Sequence, residues 1–240
     1  MKNSYFGKIF LALTLIIALG NTQAQENCHE AKLKGLFPIS DYGRVGETLE
    51  MEQKGLIGSG AAIGAGVGYR YSYGITSDIA LMVGGDILWN NTNSTYRDIC
   101  AEYNNEAAPH YFNFPILAGI SLKTRIGNLT NWNAFFAACA GLNTHYTTST
   151  GWRNFEVRYK PAFSAALSLE VGVSFRQMSL GFEIMSLGSP TMKGSGEETH
   201  HRFKTLEKKR RMLMLNTVFS YKFQKRKTEW RPSRKTILDK

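Results

Sequence analysis

Two carboxylates in the second half of the chain are the side chains best suited to acid–base chemistry. Glu170 and Glu183 flank a break at Gln177 and Met178, which we interpret as a two-residue turn. This turn pairs Gly172 with Glu183 and places the two carboxylates diagonally, about 7–8 Å apart. Such a pair can act as acid and base, but buried charges more commonly persist by pairing with opposite charges. We therefore predict a structural charge network. Its predicted members are Arg70, Asp86, Lys123, Glu170, Arg176, Glu183 and Lys222.

The elements that position these charges show a period of two. From Ile57 to Ile75, one set of alternate residues is mostly apolar and includes three tyrosines, whereas the other is nearly all glycine with Arg70 and Ser72. A period of two is typical of an extended strand. An apolar face opposite a small, polar face suits a strand that separates lipid from a wet lumen. A charge such as Asp86 is costly toward lipid, so we assign it to the lumen.

Further segments repeat this alternation, and seven strands follow from the pattern. Their outward apolar positions include Ile79, Phe112, Phe136, Phe163, Leu180 and Leu213. Single-chain bacterial barrels have an even number of strands, so we place an eighth at Arg44 to Gln53. The predicted fold is all-β, an eight-stranded antiparallel up-and-down transmembrane β-barrel. Short connections are expected at the periplasmic end and long ones outside, with aromatic residues at both membrane interfaces.

The first residues are typical of an export signal. Lys2 and Lys8 accompany an apolar run from Ile9 to Leu19, and small residues end at Ala24. An anchor helix needs about 20 apolar residues, more than this run supplies. We predict a signal peptide at 1–24, a periplasmic segment at 25–43, the barrel at 44–223 and a basic periplasmic tail at 224–240. Removing the signal leaves 27 basic and 19 acidic residues, a net charge of +8.

The chain resembles the outer-membrane β-barrel family of the PorT type, which is common in Bacteroidetes. The resemblance covers about Gly60 to Phe223 and rests on the Phe112–Leu117 strand, which reads FNFPIL, and on the glycine-rich hairpin GAGVGYRYSYGITSDIALMVGG. It implies a bacterial outer-membrane location and, from a few members of the family, a link to protein secretion. The chain departs from the family pattern because seventeen residues follow Phe223, where such barrels usually end.

Basic residues that end the last long loop are candidate contacts for the phosphates of outer-membrane lipopolysaccharide, and those in the tail are candidate contacts for envelope proteins or inner-leaflet phosphates. We do not expect nucleic acid as a partner, because an exported protein meets phosphorylated lipids and sugars instead. The tail carries a net charge of +5, and a solvated chain end is the alternative interpretation. The candidate contacts are Lys204, Lys208, Lys209, Arg210, Arg211, Lys225, Arg226, Lys227 and Arg231.

We expect a non-enzymatic barrel, either structural or a binding platform for an envelope or secretion assembly. One alternative is a lipid-modifying enzyme that uses His145, although no serine lies at a suitable spacing. A second is an exported soluble carrier of the lipocalin type, which requires the apolar faces to line the interior. His200, His201 and their acidic neighbours lie in a polar loop where solvation is the simpler expectation, so we predict neither metal nor cofactor.

Overall fold

A computed structural model of the chain describes residues 27–43, 60–94, 97–98, 108–127, 129, 131–148, 150–152, 155–197, 206–209 and 211–223. Eight strands form a closed antiparallel barrel. They are β1 (Cys28–Ile39), β2 (Ala61–Gly74), β3 (Ile79–Thr92), β4 (Tyr111–Arg125), β5 (Trp132–Thr147), β8 (Ala162–Phe175), β9 (Met178–Ser186) and β12 (Leu213–Phe223). Four shorter strands are β6 (Thr150–Trp152), β7 (Phe155–Tyr159), β10 (Thr191–Glu197) and β11 (Leu206–Lys209).

The barrel closes between its first and last strands, and its order is β1-β12-β9-β8-β5-β4-β3-β2. All neighbours are antiparallel, with registers such as Leu33 opposite Phe219 and Leu33 opposite Val67. The predicted eight-stranded antiparallel barrel is therefore confirmed. Closure pairs each of the eight barrel strands on both sides, which removes the exposed edges of an open sheet.

The predicted faces are also confirmed along the strands. Large apolar side chains lie on the outer surface, with Phe163 75%, Leu142 70% and Ile116 68% exposed. Residues on the other face of the same strands, such as Asn143 on β5 and Asn113 on β4, are fully buried in the interior. The lipocalin-like alternative is wrong, because it requires the apolar set to line the inside.

The placement of the first strand at Arg44 to Gln53 is wrong. The eighth barrel strand is β1, which lies within the segment 25–43 that we predicted to be periplasmic. Residues 44–59 lie outside the described part of the chain, as do the predicted signal peptide and the tail at 224–240. The barrel therefore begins at Cys28 and closes without the predicted strand.

Strand β1 follows the same two-faced pattern as its neighbours. Leu33, Phe37 and Ile39 are exposed on the outer surface, whereas Glu30 and the inward residues on either side of it are buried. Its inward positions include three charges, Glu30, Lys32 and Lys34, which alternate with the outward residues. The alternation of its apolar positions was the available signal.

The connections differ at the two ends of the barrel, as predicted. One end has short links at 75–78, 126–131 and 176–177, whereas the other has longer links at 40–60, 93–110, 148–161 and 187–212. A 3-10 helix, Ser40–Tyr42, follows β1 at the long-link end and places Tyr42 in the interior. In the described part of the chain, no helix has the length and apolar character needed to span a membrane.

Two of the long links form a four-stranded sheet of order β11-β10-β7-β6. Thr150 lies opposite Val157 in the register that pairs His145 with Ala162 below it. Likewise, the pairing of Gly194 with Tyr159 continues the register between β8 and β9. The sheet thus extends the barrel wall formed by β5, β8, β9 and β12, and we call it the projecting wall.

Candidate functional site

The interior near the short links contains a network of buried ion pairs. Strand β1 contributes Glu30, Lys32 and Lys34, none of which was predicted from the sequence. They alternate along the inward face of β1 and therefore project into the same space. Identifying them required the correct position of this strand.

One part of the network is organised around the guanidinium of Arg70 on β2. Its Nη2 lies 2.7 Å from Glu30 Oε2, and its Nη1 lies 2.9 Å from Glu170 Oε2. Lys32 Nζ donates to the same oxygen of Glu170 at 3.0 Å. Two cations and two carboxylates on three strands thereby neutralise one another, which offsets the cost of removing them from water.

A second part is organised around Lys34, whose side chain is inaccessible to solvent. Its Nζ lies 2.6 Å from Asp86 Oδ2 and 2.7 Å from Glu183 Oε2. Glu183 also accepts hydrogen bonds from Ser168 Oγ and Asn216 Nδ2, at 2.5 and 2.9 Å. Lys34 thus connects β1 to β3 and to β9 across the lumen.

The seven predicted charges divide into three groups. Arg70, Asp86, Glu170 and Glu183 belong to the network, as the ion pairs above show. Lys123 and Lys222 are half-buried near the short-link end, and the ion pairs found among the described residues do not include them. Arg176 is not in the lumen: it is exposed in a turn with φ of 52°, and its Cζ lies 5.1 Å from the centroid of the outward Phe175 ring.

The predicted turn between β8 and β9 is displaced by one residue. The turn residues are Arg176 and Gln177, with Phe175 opposite Met178. Glu170 is consequently directly opposite Glu183 rather than diagonal to it. Because each carboxylate contacts a lysine ammonium, the pair serves as a double counter-ion within the lumen.

The interior near the long links is filled by neutral groups. Asn113 Nδ2 donates to Tyr42 Oη at 3.0 Å, and Asn113 Oδ1 accepts from Asn143 Nδ2 at 3.1 Å. Tyr42 Oη in turn donates to Asn90 at 3.5 Å. Burial raises the pKa of the Tyr42 phenol, so this group stays protonated and able to donate.

His145 belongs to this neutral cluster. Its Nδ1 lies 2.9 Å from Asn113 Oδ1, and its Nε2 lies 2.9 Å from Thr147 Oγ1. Since the amide oxygen only accepts, Nδ1 carries the proton in this arrangement and Nε2 accepts from the threonine hydroxyl. The ring is 1% exposed and faces the lumen. This placement separates it from the outer surface, where a lipid substrate would lie.

Buried apolar side chains surround this neutral cluster and occupy the remaining space at the long-link end. They form one packed group of Leu36, Tyr42, Ala61, Leu88, Tyr111, Leu117, Ala162, Ala166, Met185, Leu187, Met212 and Met214. Farther inside, a cavity of about 20 Å³ lies beside Glu170 and Cys139. This volume is close to that of one water molecule. The described interior therefore holds side chains rather than a solute-sized passage, as expected for a barrel of eight strands.

The predicted phosphate contacts fall partly within the described chain. Lys208 and Lys209 lie on β11, and Arg211 is exposed just before β12. The remaining predicted contacts, Lys204, Arg210, Lys225, Arg226, Lys227 and Arg231, lie outside the described residues. Among the described side chains, there is no group of three or more His, Cys, Asp or Glu arranged to hold a metal ion.

Comparison with known proteins finds similar folds but no similar sequences. No protein-family model matches the chain, and no curated protein matches it. Neisserial surface protein A has 13% identity and a TM-score of 0.47, with 84% of this chain and 99% of that chain covered. The outer membrane protein OprG from Pseudomonas aeruginosa has 8% identity and a TM-score of 0.49, with 86% and 100% covered.

A third similar structure is the outer membrane protein AlkL, with 9% identity and a TM-score of 0.45, where 86% of this chain and 94% of that chain are covered. At these values the likeness concerns the fold alone, and no residue role is transferred. The PorT-type assignment remains a prediction based on the sequence motifs.

Proposed function

We propose that this chain is a non-enzymatic integral outer-membrane β-barrel that presents its projecting wall as a binding platform to an envelope or secretion assembly. The observation that carries the membrane location is the outer surface of the barrel. Large apolar residues such as Phe163, Leu142 and Ile116 are exposed on successive strands. Soluble monomers rarely expose apolar patches beyond a few hundred Å². Lipid is the solvent that such a closed apolar surface requires.

The filled lumen supports a role other than transport. Ion pairs occupy one half of the interior and packed apolar groups the other. A solute would have to displace side chains that are mutually paired or fully buried. The projecting wall, in contrast, extends beyond the barrel and is available to partners in the envelope.

The proposal favours a platform over a lipid-modifying enzyme because of the position of His145. Its ring nitrogens already contact Asn113 and Thr147 inside the barrel. A group that acts on lipid needs access to the outer surface or to the barrel rim. Although His145 lies near the end of β5, its ring is 1% exposed and has access to neither.

The membrane location is tested by one outward substitution and a matched control. Ala140 lies on the outer surface of β5, whereas Ser77 is exposed in a short link outside the apolar band. Ala140→Arg should cost about 2–4 kcal/mol of folding free energy near the bilayer midplane. Ser77→Arg should cost much less, because its side chain remains in water.

Folding is measured by urea titration in lipid vesicles, with the mobility difference between unboiled and boiled samples on gels as the readout. Wild-type protein should also stay with the membrane fraction after alkaline extraction. Recovery in the soluble fraction, or equal costs for the two arginine variants, would contradict the membrane location.

The platform role is tested by replacing residues 149–159 and 191–210 with short turns. The barrel strands remain in this variant, so it should still shift in mobility on boiling. It should lose the envelope proteins that crosslink to the full-length protein in cells. A variant that lacks only the tail after Phe223 controls for loss of a basic segment. Unchanged crosslinking in the wall variant would show that the platform lies elsewhere.

A further inference from the structure

A β-bulge separates the barrel from the projecting wall. Leu187 N donates to Met212 O at 2.9 Å, and Met212 N donates to Gly188 O at 2.9 Å. Leu187 and Gly188 therefore both lie opposite Met212, which inserts one extra residue on the β9 side. The insertion changes which alternate residues face outward above the bulge. Consistent with this shift, Pro190 is buried and Thr191 is exposed.

The facing strand agrees with this assignment. Met212 is buried and Arg211 is exposed, so the outward positions on this strand continue from Arg211 to Lys209. Lys209 is opposite Thr191, and Glu207 is opposite Lys193. These pairs define the outward face of the projecting wall.

Residues of opposite character occupy the two faces of the wall. The outward register positions are Gly151, Glu156, Arg158, Thr191, Lys193, Ser195, Glu197, Glu207 and Lys209. The inward positions are Thr150, Trp152, Phe155, Val157, Tyr159, Met192, Gly194, Gly196, Leu206 and Lys208. By register, the outward positions of the wall are therefore mostly charged residues and the inward positions mostly apolar ones.

Basic residues concentrate where the outward face meets the barrel. Lys160 is exposed between β7 and β8, and Arg211 is exposed before β12. Lys193 occupies an outward register position on β10, between β7 and β11 in the sheet, and Lys209 occupies one on β11, two residues before Arg211. We call these four residues the basic row. Glu207 is opposite Lys193. Counted together with Glu207, the four residues of the basic row have a net charge of +3.

The basic row borders the apolar outer surface of the barrel. Phe163 is exposed three residues after Lys160, and Leu215 is exposed four residues after Arg211. At about 3.3 Å per residue, Arg211 is only about 7 Å along the strand from Leu213. If the apolar surface lies in lipid, the row lies at the level of the outer headgroups.

We propose that the basic row binds the phosphate groups of the anionic glycolipid of the outer leaflet, the lipid A part of lipopolysaccharide. This inference rests on the proposed membrane location. Lysine supplies a point charge and arginine a planar pair of donors, and both suit phosphate oxygens. Continuity with the apolar surface favours a lipid, because the acyl chains of the same molecule would cover the strands immediately below.

The test compares two variants that lose the same charge. One replaces Lys160, Lys193, Lys209 and Arg211 by Gln, and the control replaces Lys123, Arg125, Arg176 and Lys222, at the opposite, short-link end of the barrel, by Gln. Each full-length protein is inserted into phosphatidylcholine nanodiscs, and binding of added lipid A is followed by native mass spectrometry. We expect lipid A to bind the basic-row variant on the order of tenfold more weakly, or worse, and the control as tightly as wild type.

Dephosphorylated lipid A is the matched probe for the phosphate contribution, and it should bind wild type as weakly as lipid A binds the basic-row variant. Equal binding of the two probes, or equal loss in the two variants, would overturn the basic row as a phosphate site. Stronger competition by an acidic peptide than by lipid A would also overturn it and assign the row to a protein partner. Failure of the wild type to insert would overturn the membrane location as well. If the wild type inserts normally, a negative binding result overturns only the lipid A site and not the membrane location.

Discussion

The two halves of the barrel interior are both filled by side chains, but the side chains differ in chemical character. Near the short links, Lys34 and Arg70 hold carboxylates from several strands in direct ion pairs. Near the long links, Leu36, Met214 and their neighbours pack around a neutral cluster that contains His145. The charged half depends on specific partners, whereas the apolar half depends on volume. In this barrel the ion pairs therefore specify which strands meet, and the apolar packing contributes stability.

The two halves also differ in how strongly they specify the register in which β1 pairs with its neighbours. The inward charges of β1 contact Arg70 on β2, Asp86 on β3, Glu170 on β8 and Glu183 on β9. Since a misplaced β1 would leave these charges unpaired, the network favours one closing register. Apolar contacts such as those of Met214 are less directional and tolerate small shifts.

The largest expected effect is loss of the central lysine. Lys34→Met leaves Asp86 and Glu183 without their shared cation, and breaking a buried pair costs about 3–5 kcal/mol. Lys222→Met is the control because Lys222 is half-buried and lies outside the observed ion pairs. Urea unfolding in lipid vesicles measures both. Similar losses would show that the charged half has no special dependence on pairing.

A smaller loss is expected for a cavity in the apolar half. Met214→Ala removes a fully buried side chain and should cost about 2–4 kcal/mol. Met214→Leu conserves volume and should cost less than about 1.5 kcal/mol. The same unfolding assay applies. A leucine variant as unstable as the alanine variant would contradict packing by volume.

Removing the partner charges together with Lys34 should recover stability. The triple variant Lys34→Met, Asp86→Asn and Glu183→Gln has no unpaired charge at this position, so its cost should fall to about 1–3 kcal/mol, as for unsatisfied neutral groups. A triple variant less stable than Lys34→Met alone would contradict this expectation, because burying the two amides would then cost more than burying the two unpaired carboxylates.

The smallest effect concerns a hydrogen bond of the neutral cluster. Tyr42→Phe removes the acceptor of the Asn113 amide and should cost about 1–2 kcal/mol. Tyr73→Phe, at an exposed position on the outer surface, provides the comparison. The ratio of folded to unfolded protein at a fixed urea concentration resolves this difference. A larger loss for Tyr73→Phe would contradict a structural role for the Tyr42 hydroxyl.

Sequence alternation identified seven of the eight barrel strands and both faces of each, because one face must be apolar and the other small or polar over many residues. It placed the first strand at Arg44–Gln53 instead of β1. From the sequence alone, the charged side chains of Glu30, Lys32 and Lys34 are expected in solvent, because their partners on other strands are unknown. Arg176 was misassigned for a related reason, since the exact turn between β8 and β9 depends on pairing.

The sequence by itself determined the class of fold, the inward and outward residue sets and the division into short and long links, because these follow from local periodicity and turn composition. Only the tertiary structure decided which charges meet. Lys34 binds Asp86 and Glu183 because closure brings β1, β3 and β9 around one narrow lumen, and no local pattern encodes that distance. The orientation of the projecting wall likewise depends on a bulge at Leu187 and Gly188, which is defined by its hydrogen bonds to Met212 on another strand.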